Sequence, residues 1–205
     1  MNQVQAATIT KEDLVMLVPL FSPNPRLQEV KKTLALTQSV QQCRPFNLIK
    51  EPVADLAALQ AAVAKHRPQI VHIAAEFMEK GRVYFGTVRS RNRSWPMSEV
   101  LSSIAEAGAN TELIYFNGPL NKDFMLTEDD NINFVIGADK KLCTAAVRQK
   151  FTALFYLFVG LGNSVGIAYR QAWQQLPVEL QDIRPLAIAL RYRLSLNPAE
   201  VGIHK

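Results

Sequence analysis

Cysteine is scarce in this sequence, and no long hydrophobic run occurs. The two cysteines among 205 residues, Cys43 and Cys143, suit a reducing compartment and are too few for a thiolate metal cluster, although a disulfide between them stays open. The longest apolar run, residues 151–162 with one threonine, is shorter than the ~20 residues that cross a bilayer. Residues 1–13 lack the charged-then-apolar pattern of a signal peptide. We therefore expect a cytoplasmic chain without a membrane span.

The motifs of nucleotide and zinc chemistry are absent as well. The sequence contains no G-x-x-x-x-G-K-[ST], no G-x-G-x-x-G and no H-E-x-x-H. An acidic stretch at 120–130 lacks the glycine and the terminal glutamate of a calcium loop. From these absences we expect neither a cofactor nor a metal site.

The composition is that of one globular domain. Apolar residues make up 48% and charged residues 20% of the chain, and no segment has the composition of a linker. We expect a single domain over 1–205, with a flexible segment at 1–13. The hydrophobic pattern predicts strands at 14–20, 47–53, 70–75, 113–116, 133–136 and 186–194, with a small hairpin at 83–88. It predicts helices at 26–39, 55–67, 98–107, 142–160 and 165–176.

Strands that alternate with helices predict an α/β fold. We expect about six mainly parallel strands covered by helices on both faces. In such sheets, functional groups lie beyond the carboxyl ends of the strands. Glu76 and Pro119 follow two of these predicted ends, so they mark the candidate site.

Two segments resemble the signature strands of the CHAT family, prokaryotic relatives of caspases and separase. Residues 68–77 read P-Q-I-V-H-I-A-A-E-F where the family reads approximately P-D-I-V-H-x-S-G-H-G, with the last histidine catalytic. Residues 114–119 read I-Y-F-N-G-P where the family reads V-V-L-N-A-C, with the cysteine as nucleophile. Weaker matches in the family's order lie at 17–30, 134–138 and 145–169, so the resemblance covers about 13–194.

The resemblance implies a three-layer, caspase-like sandwich in which Glu76 and Pro119 occupy the positions of the catalytic histidine and cysteine. A cysteine peptidase needs a thiolate and an imidazole, and neither residue supplies one. Proline also lacks the backbone N–H that could stabilise an oxyanion. The resemblance therefore implies an inactive pseudopeptidase that binds protein as an adaptor or regulatory subunit in prokaryotic signalling or defence. An enzyme with altered chemistry around Glu76 is the alternative.

Four further residues each have a functional and a structural interpretation. His72 lies inside an apolar strand, which favours a hydrogen-bonded core histidine, and it is also kept among the residues that could contact a partner. Asn117 and Gly118 are typical of a strand-to-loop turn, and their position also makes them candidates for partner binding. Cys143 is interpreted as structural rather than as a relocated nucleophile.

A basic segment over 80–98 is the most distinctive predicted surface. Arginines with interleaved aromatic residues can grip phosphates and stack on bases, so nucleic-acid binding is an alternative function. A solvated hairpin or a protein-binding loop explains the same pattern, and the net charge of +5 permits either partner. The candidate contact residues in this segment are Arg82, Arg89, Arg91, Arg93 and Trp95.

The last predicted strand, 186–194, alternates apolar and basic residues. This pattern is typical of an edge strand with one charged face. Caspase relatives pair through their last strand, so homo-oligomerisation through 186–194 is an expectation from the resemblance. The charges could equally protect the edge from pairing.

Overall fold

The computed structural model describes residues 13–20, 43–74, 76–78, 82–84, 94–118, 126, 131–138, 144–177 and 188–203. The predicted helix at 26–39 and the end of the predicted hairpin, Phe85 to Val88, lie outside these residues. Pro119 and Cys143 also lie outside them.

The described residues form nine strands and four helices. The strands are β1 (Leu14–Leu20), β2 (Phe46–Pro52), β3 (Ile70–Ile73), β4 (Glu76–Met78), β5 (Arg82–Tyr84), β6 (Ser94–Pro96), β7 (Leu113–Phe116), β8 (Phe134–Ala138) and β9 (Ile188–Tyr192). The helices are α1 (Leu56–His66), α2 (Met97–Ala107), α3 (Ala145–Gly160) and α4 (Val165–Gln174).

Six of these strands form the central sheet, in the order β2-β1-β3-β7-β8-β9. All neighbours in the sheet are parallel except β8 and β9, which pair antiparallel. The strands β3, β7 and β8 are fully buried, as their continuous apolar sequences predict. The predicted α/β class with about six mainly parallel strands is confirmed.

Side chains that alternate along each strand divide the core into two layers. In β3, Val71 and Ile73 belong to the cluster that contains the apolar faces of α1 and α2. Ile70 belongs to the opposite cluster, which contains the apolar faces of α3 and α4. Because period-two alternation sends successive residues to opposite faces, the sheet is covered by helices on both sides. The chain therefore forms a three-layer α/β sandwich.

A second, smaller sheet was not predicted. In it, β5 pairs antiparallel with both β4 and β6, while residues 85–88 of the expected hairpin lie outside the described residues. Strand β3 also ends at Ile73 rather than at residue 75, because the chain turns away from the central sheet to begin β4 at Glu76. Period-two patterns do not identify the partner of a strand, so the sequence could not reveal this three-stranded sheet.

The ends of α1 show why local sequence predicted this helix well. Asp55 adopts an extended conformation, and its Oδ1 accepts a 2.8 Å hydrogen bond from the Ala58 backbone N–H. At the other end, Arg67 adopts a left-handed conformation (φ 44°) directly before Pro68, which cannot continue a helix. Both boundaries are thus set by residues within one turn of the helix.

Replacing Asp55 tests this cap. Asp55→Ala is expected to lower the free energy of unfolding by about 1 kcal/mol, because the Ala58 N–H loses its acceptor. Asp55→Asn keeps an acceptor oxygen in the same position and serves as the matched control, with an expected loss below about 0.5 kcal/mol. Urea unfolding followed by circular dichroism measures both variants, and equal losses for the two would contradict the capping role.

Candidate functional site

The candidate site lies where β3 and β7 end side by side. The two strands are neighbours in the sheet, with His72 opposite Tyr115 and Ile73 opposite Phe116. The Asn117 backbone N–H continues this pairing by donating to the Ile73 carbonyl at 3.0 Å. Parallel neighbours bring their carboxyl ends to the same edge of a sheet, so the chain leaves both strands at one place.

The two positions singled out by the resemblance follow this matched pair by the same number of residues. Glu76 lies three residues after Ile73, and Pro119 lies three residues after Phe116 (76 − 73 = 119 − 116 = 3). The Glu76 backbone begins β4, where it pairs with Tyr84. Because of this register, the chain segments that lead to positions 76 and 119 leave the sheet at adjacent points.

The turn after β7 is held by backbone hydrogen bonds on both sides. The Gly118 carbonyl accepts a 2.6 Å bond from the Ala138 N–H of β8, while Asn117 binds β3 as described above. Asn117 is 7% exposed. It forms part of the turn, as the sequence predicts, and its role in partner binding stays a prediction.

His72 lies in the core beneath this edge, 1% exposed. Its Nδ1 shares a 2.7 Å hydrogen bond with the Tyr156 hydroxyl of α3, and its ring stacks on Tyr115 with centroids 4.9 Å apart and planes 4° apart. Burial lowers the pKa of His72 to about 3, so the ring is neutral at physiological pH. This burial agrees with the interpretation of His72 as a hydrogen-bonded core histidine, and its contact with a partner stays a prediction.

The neighbours of His72 were missed by sequence reasoning. Burial, and then the nearby Tyr115, raise the pKa of Tyr156 well above its ordinary value. Tyr115 in turn shares a 2.8 Å hydrogen bond with the Thr152 hydroxyl. The available signal was the spacing of Thr152 and Tyr156, two polar residues four apart on one face of an apolar helix.

The basic segment is described only at its two ends. Arg82 donates from Nε to the Ser94 hydroxyl at 3.0 Å and from its terminal nitrogen to the Ser94 carbonyl at 2.5 Å, which joins β5 to β6. Trp95 is half-buried against the core layer of α1 and α2. These two residues support the small sheet, while Arg89, Arg91 and Arg93 lie outside the described residues.

The last strand lies at the edge of the central sheet, as predicted, over Ile188–Tyr192. Ile188 is buried, whereas Tyr192 is 40% and Leu194 is 62% exposed. A bridge between Leu126 and Arg193 lies just beyond the strand. Pairing of two chains through this edge stays a prediction.

Over the described ranges, no three metal-binding side chains come together, and no helix there is long and apolar enough to cross a membrane. Comparison with known proteins does not assign the chain to a family. No family model matches the chain, and no curated protein sequence matches it significantly.

Proposed function

We propose that the chain is a catalytically inactive, CHAT-like domain of the caspase type that acts by binding a protein partner at the carboxyl edge of β3 and β7. The observation that carries the proposal is the register of these two strands. With this register, the chain runs from adjacent strand ends to Glu76 and to Pro119. These are the two positions at which a catalytic pair would need a histidine and a cysteine. The six-stranded, three-layer α/β architecture supports the same alignment.

The chemistry at these positions supports binding rather than peptide cleavage. Glutamate cannot generate a nucleophile, and proline carries neither a reactive side chain nor a backbone N–H. The two histidines in the described part of the chain are engaged elsewhere: His72 binds Tyr156 in the core, and His66 lies 3.1 Å from Glu51 at the end of α1. A binding role as an adaptor or regulatory subunit remains for such a scaffold.

Restoring the two residues tests the alignment directly. In a Glu76→His/Pro119→Cys variant, the introduced imidazole is expected to lower the pKa of the introduced thiol, because the imidazolium stabilises the thiolate. We expect iodoacetamide to alkylate that thiol at least about tenfold faster at pH 7 than in Pro119→Cys alone. Mass spectrometry of the labelled peptide measures both rates.

Both proteins carry the same new thiol, so the comparison reports the combined effect at position 76 of removing the carboxylate and adding the imidazole. Equal alkylation rates would show that positions 76 and 119 do not face one another, and the caspase-like alignment would fail. The unmodified chain is expected to cleave no member of a broad peptide library. Turnover that disappears in Cys143→Ala would overturn the inactive assignment.

Partner binding is tested separately in extracts of the native source. A tagged chain is expected to elute in a complex larger than itself during size-exclusion chromatography, and Glu76→Arg is expected to return it to its own volume. Glu106→Arg on the exposed side of α2 is the matched control and should leave the complex intact. A tagged chain that elutes alone before any substitution would contradict the binding role.

A further inference from the structure

Among the described residues, two buried side-chain hydrogen bonds join the central sheet to α3 across a largely apolar layer. The helix contributes Phe151, Phe155 and Val159 to the core layer that it shares with the sheet. Across this layer, the Tyr156 hydroxyl meets His72 Nδ1 at 2.7 Å, and the Thr152 hydroxyl meets the Tyr115 hydroxyl at 2.8 Å. We call His72, Tyr115, Thr152 and Tyr156 the polar cluster.

The spacing of the polar cluster matches on the two sides of the interface. Thr152 and Tyr156 are four residues apart, so they lie on one face of α3, ~6 Å apart along its axis. His72 and Tyr115 are opposite each other on adjacent parallel strands, which lie ~4.8 Å apart. Both contacts therefore form together at one position of the helix. A shift of α3 by one residue would break both.

The direction of one contact follows from the number of hydrogens. Thr152 donates its single hydroxyl hydrogen to the Arg148 carbonyl at 2.6 Å. Tyr115 must therefore donate to Thr152, so a specific chain of donors runs from the sheet into the helix. Arg148 lies one turn before Thr152 on the same helix, so its carbonyl leaves the Thr152 hydroxyl free to act as the acceptor for Tyr115.

The other contact leaves a polar hydrogen without a partner. If the Tyr156 hydroxyl donates to Nδ1, the hydrogen on His72 Nε2 has no acceptor among the described residues. If Nδ1 donates instead, the hydroxyl hydrogen of Tyr156 is the one without an acceptor in the part of the chain that the structure describes. A buried donor without a partner destabilises the folded state, so an apolar pair of similar size would make the layer at least as stable. The polar pair is therefore not explained by stability alone.

We propose that the polar cluster sets the register of α3 on the sheet, selecting one position of the helix among apolar packings of similar free energy. His72 and Tyr115 lie in the two strands that lead to positions 76 and 119. A fixed helix therefore keeps β3 and β7 aligned and holds their carboxyl edge in one arrangement. This inference concerns the scaffold and does not depend on the proposed partner binding.

The test replaces both contacts with apolar groups of similar shape. The variant His72→Leu/Tyr115→Phe/Thr152→Val/Tyr156→Phe is expected to keep the far-UV circular dichroism spectrum and the urea midpoint of the unmodified chain. Amide hydrogen exchange in β3, β7 and α3 is expected to become at least about tenfold faster, because several helix positions interconvert. Two-dimensional NMR is expected to show more than one amide signal for residues of these elements.

Thr111→Val is the control. It removes a buried hydroxyl that donates to the Pro68 carbonyl at 2.9 Å, and this contact does not involve α3. Its exchange in α3 should stay within about twofold of the unmodified chain. The proposal is overturned if amide exchange in α3 of the fourfold variant also stays within about twofold of the unmodified chain and its NMR spectrum shows a single set of signals. Should the fourfold variant not fold, amide exchange in Thr152→Val and in Thr152→Ser tests the proposal instead. Faster exchange in the valine variant alone supports the register role, and equal exchange in both overturns it.

Discussion

Gly160→Ala is expected to lower the free energy of unfolding by about 2 kcal/mol. Gly160 is the last residue of α3, and a Cβ built on it would lie 2.0 Å from the Cys43 Sγ. The Arg44 carbonyl and the Phe46 ring would each lie 3.4 Å away, so the close contact with Sγ is the one that must be relieved. Cys43 is itself buried at 9% exposure, which limits how far its side chain can move.

The expected size is the difference between two opposing effects. Forcing an extra methyl group into a packed region costs about 3 kcal/mol, and replacing a helical glycine by alanine returns about 1 kcal/mol through the lower entropy of the unfolded chain. The close contact is the larger effect because 2.0 Å is far inside any van der Waals separation. Chemical denaturation measures the net loss.

Cys43→Ala should largely restore the stability of the Gly160→Ala variant. Removing Sγ opens the volume that the new methyl group needs, so we expect the double variant within about 1 kcal/mol of the unmodified chain. The double-mutant cycle should then give a coupling energy of about 2 kcal/mol between the two positions. Additive losses would contradict a direct contact between Gly160 and Cys43.

Gly202→Ala is the matched control for the glycine substitution. A Cβ at Gly202 has no atom within 4 Å, so the same chemical change meets open space. Its free energy of unfolding should stay within about 0.5 kcal/mol of the unmodified chain. If Gly160→Ala also stays within that limit, the Cys43 side chain rotates away, and the close approach of Gly160 to Cys43 does not constrain the end of α3.

Acidification is expected to destabilise the chain through His72. The pKa of this histidine is about 3 in the folded chain, because burial disfavours the charged ring, against an ordinary value of 6.5 in the unfolded chain. Between these two values the unfolded state binds one proton that the folded state does not. The free energy of unfolding is therefore independent of this residue above about pH 6.5 and decreases as the pH falls toward 3.

The slope sets the size of the effect. A full proton difference changes the free energy of unfolding by about 1.4 kcal/mol per pH unit, so His72 alone should remove about 3 kcal/mol between pH 7 and pH 4.5. Carboxylates titrate only at the lower end of this interval, so the upper part reports mainly on histidine. Urea unfolding at a series of pH values measures the curve.

A variant without the imidazole separates His72 from the rest. In His72→Asn the amide can still bind the Tyr156 hydroxyl but cannot take up a proton, so the loss between pH 7 and pH 4.5 should shrink by about 3 kcal/mol. The comparison uses the change with pH within each protein, so a constant loss of stability from the smaller side chain cancels. An unchanged pH dependence would show that His72 can be protonated in the folded chain.

The sequence predicted those elements whose boundaries depend on neighbouring residues. Strand β7 has the predicted bounds, and Asp55 and Pro68 mark the limits of α1. Gly162, with φ of 87°, separates α3 from α4 as the sequence predicts, because a left-handed residue ends a helix at little cost only when it is glycine.

The apolar core strands and the α/β alternation were thus readable from the chain alone, because periodicity and turn chemistry act over a few residues. Tertiary structure alone decided the antiparallel sheet of β4, β5 and β6, the burial of Asn117 and the meeting of His72 with Tyr156. These features join residues far apart in sequence, such as 72 and 156, and no local pattern specifies which distant partner a strand or side chain meets. Contact across the layers of the fold, rather than propensity along the chain, determined them.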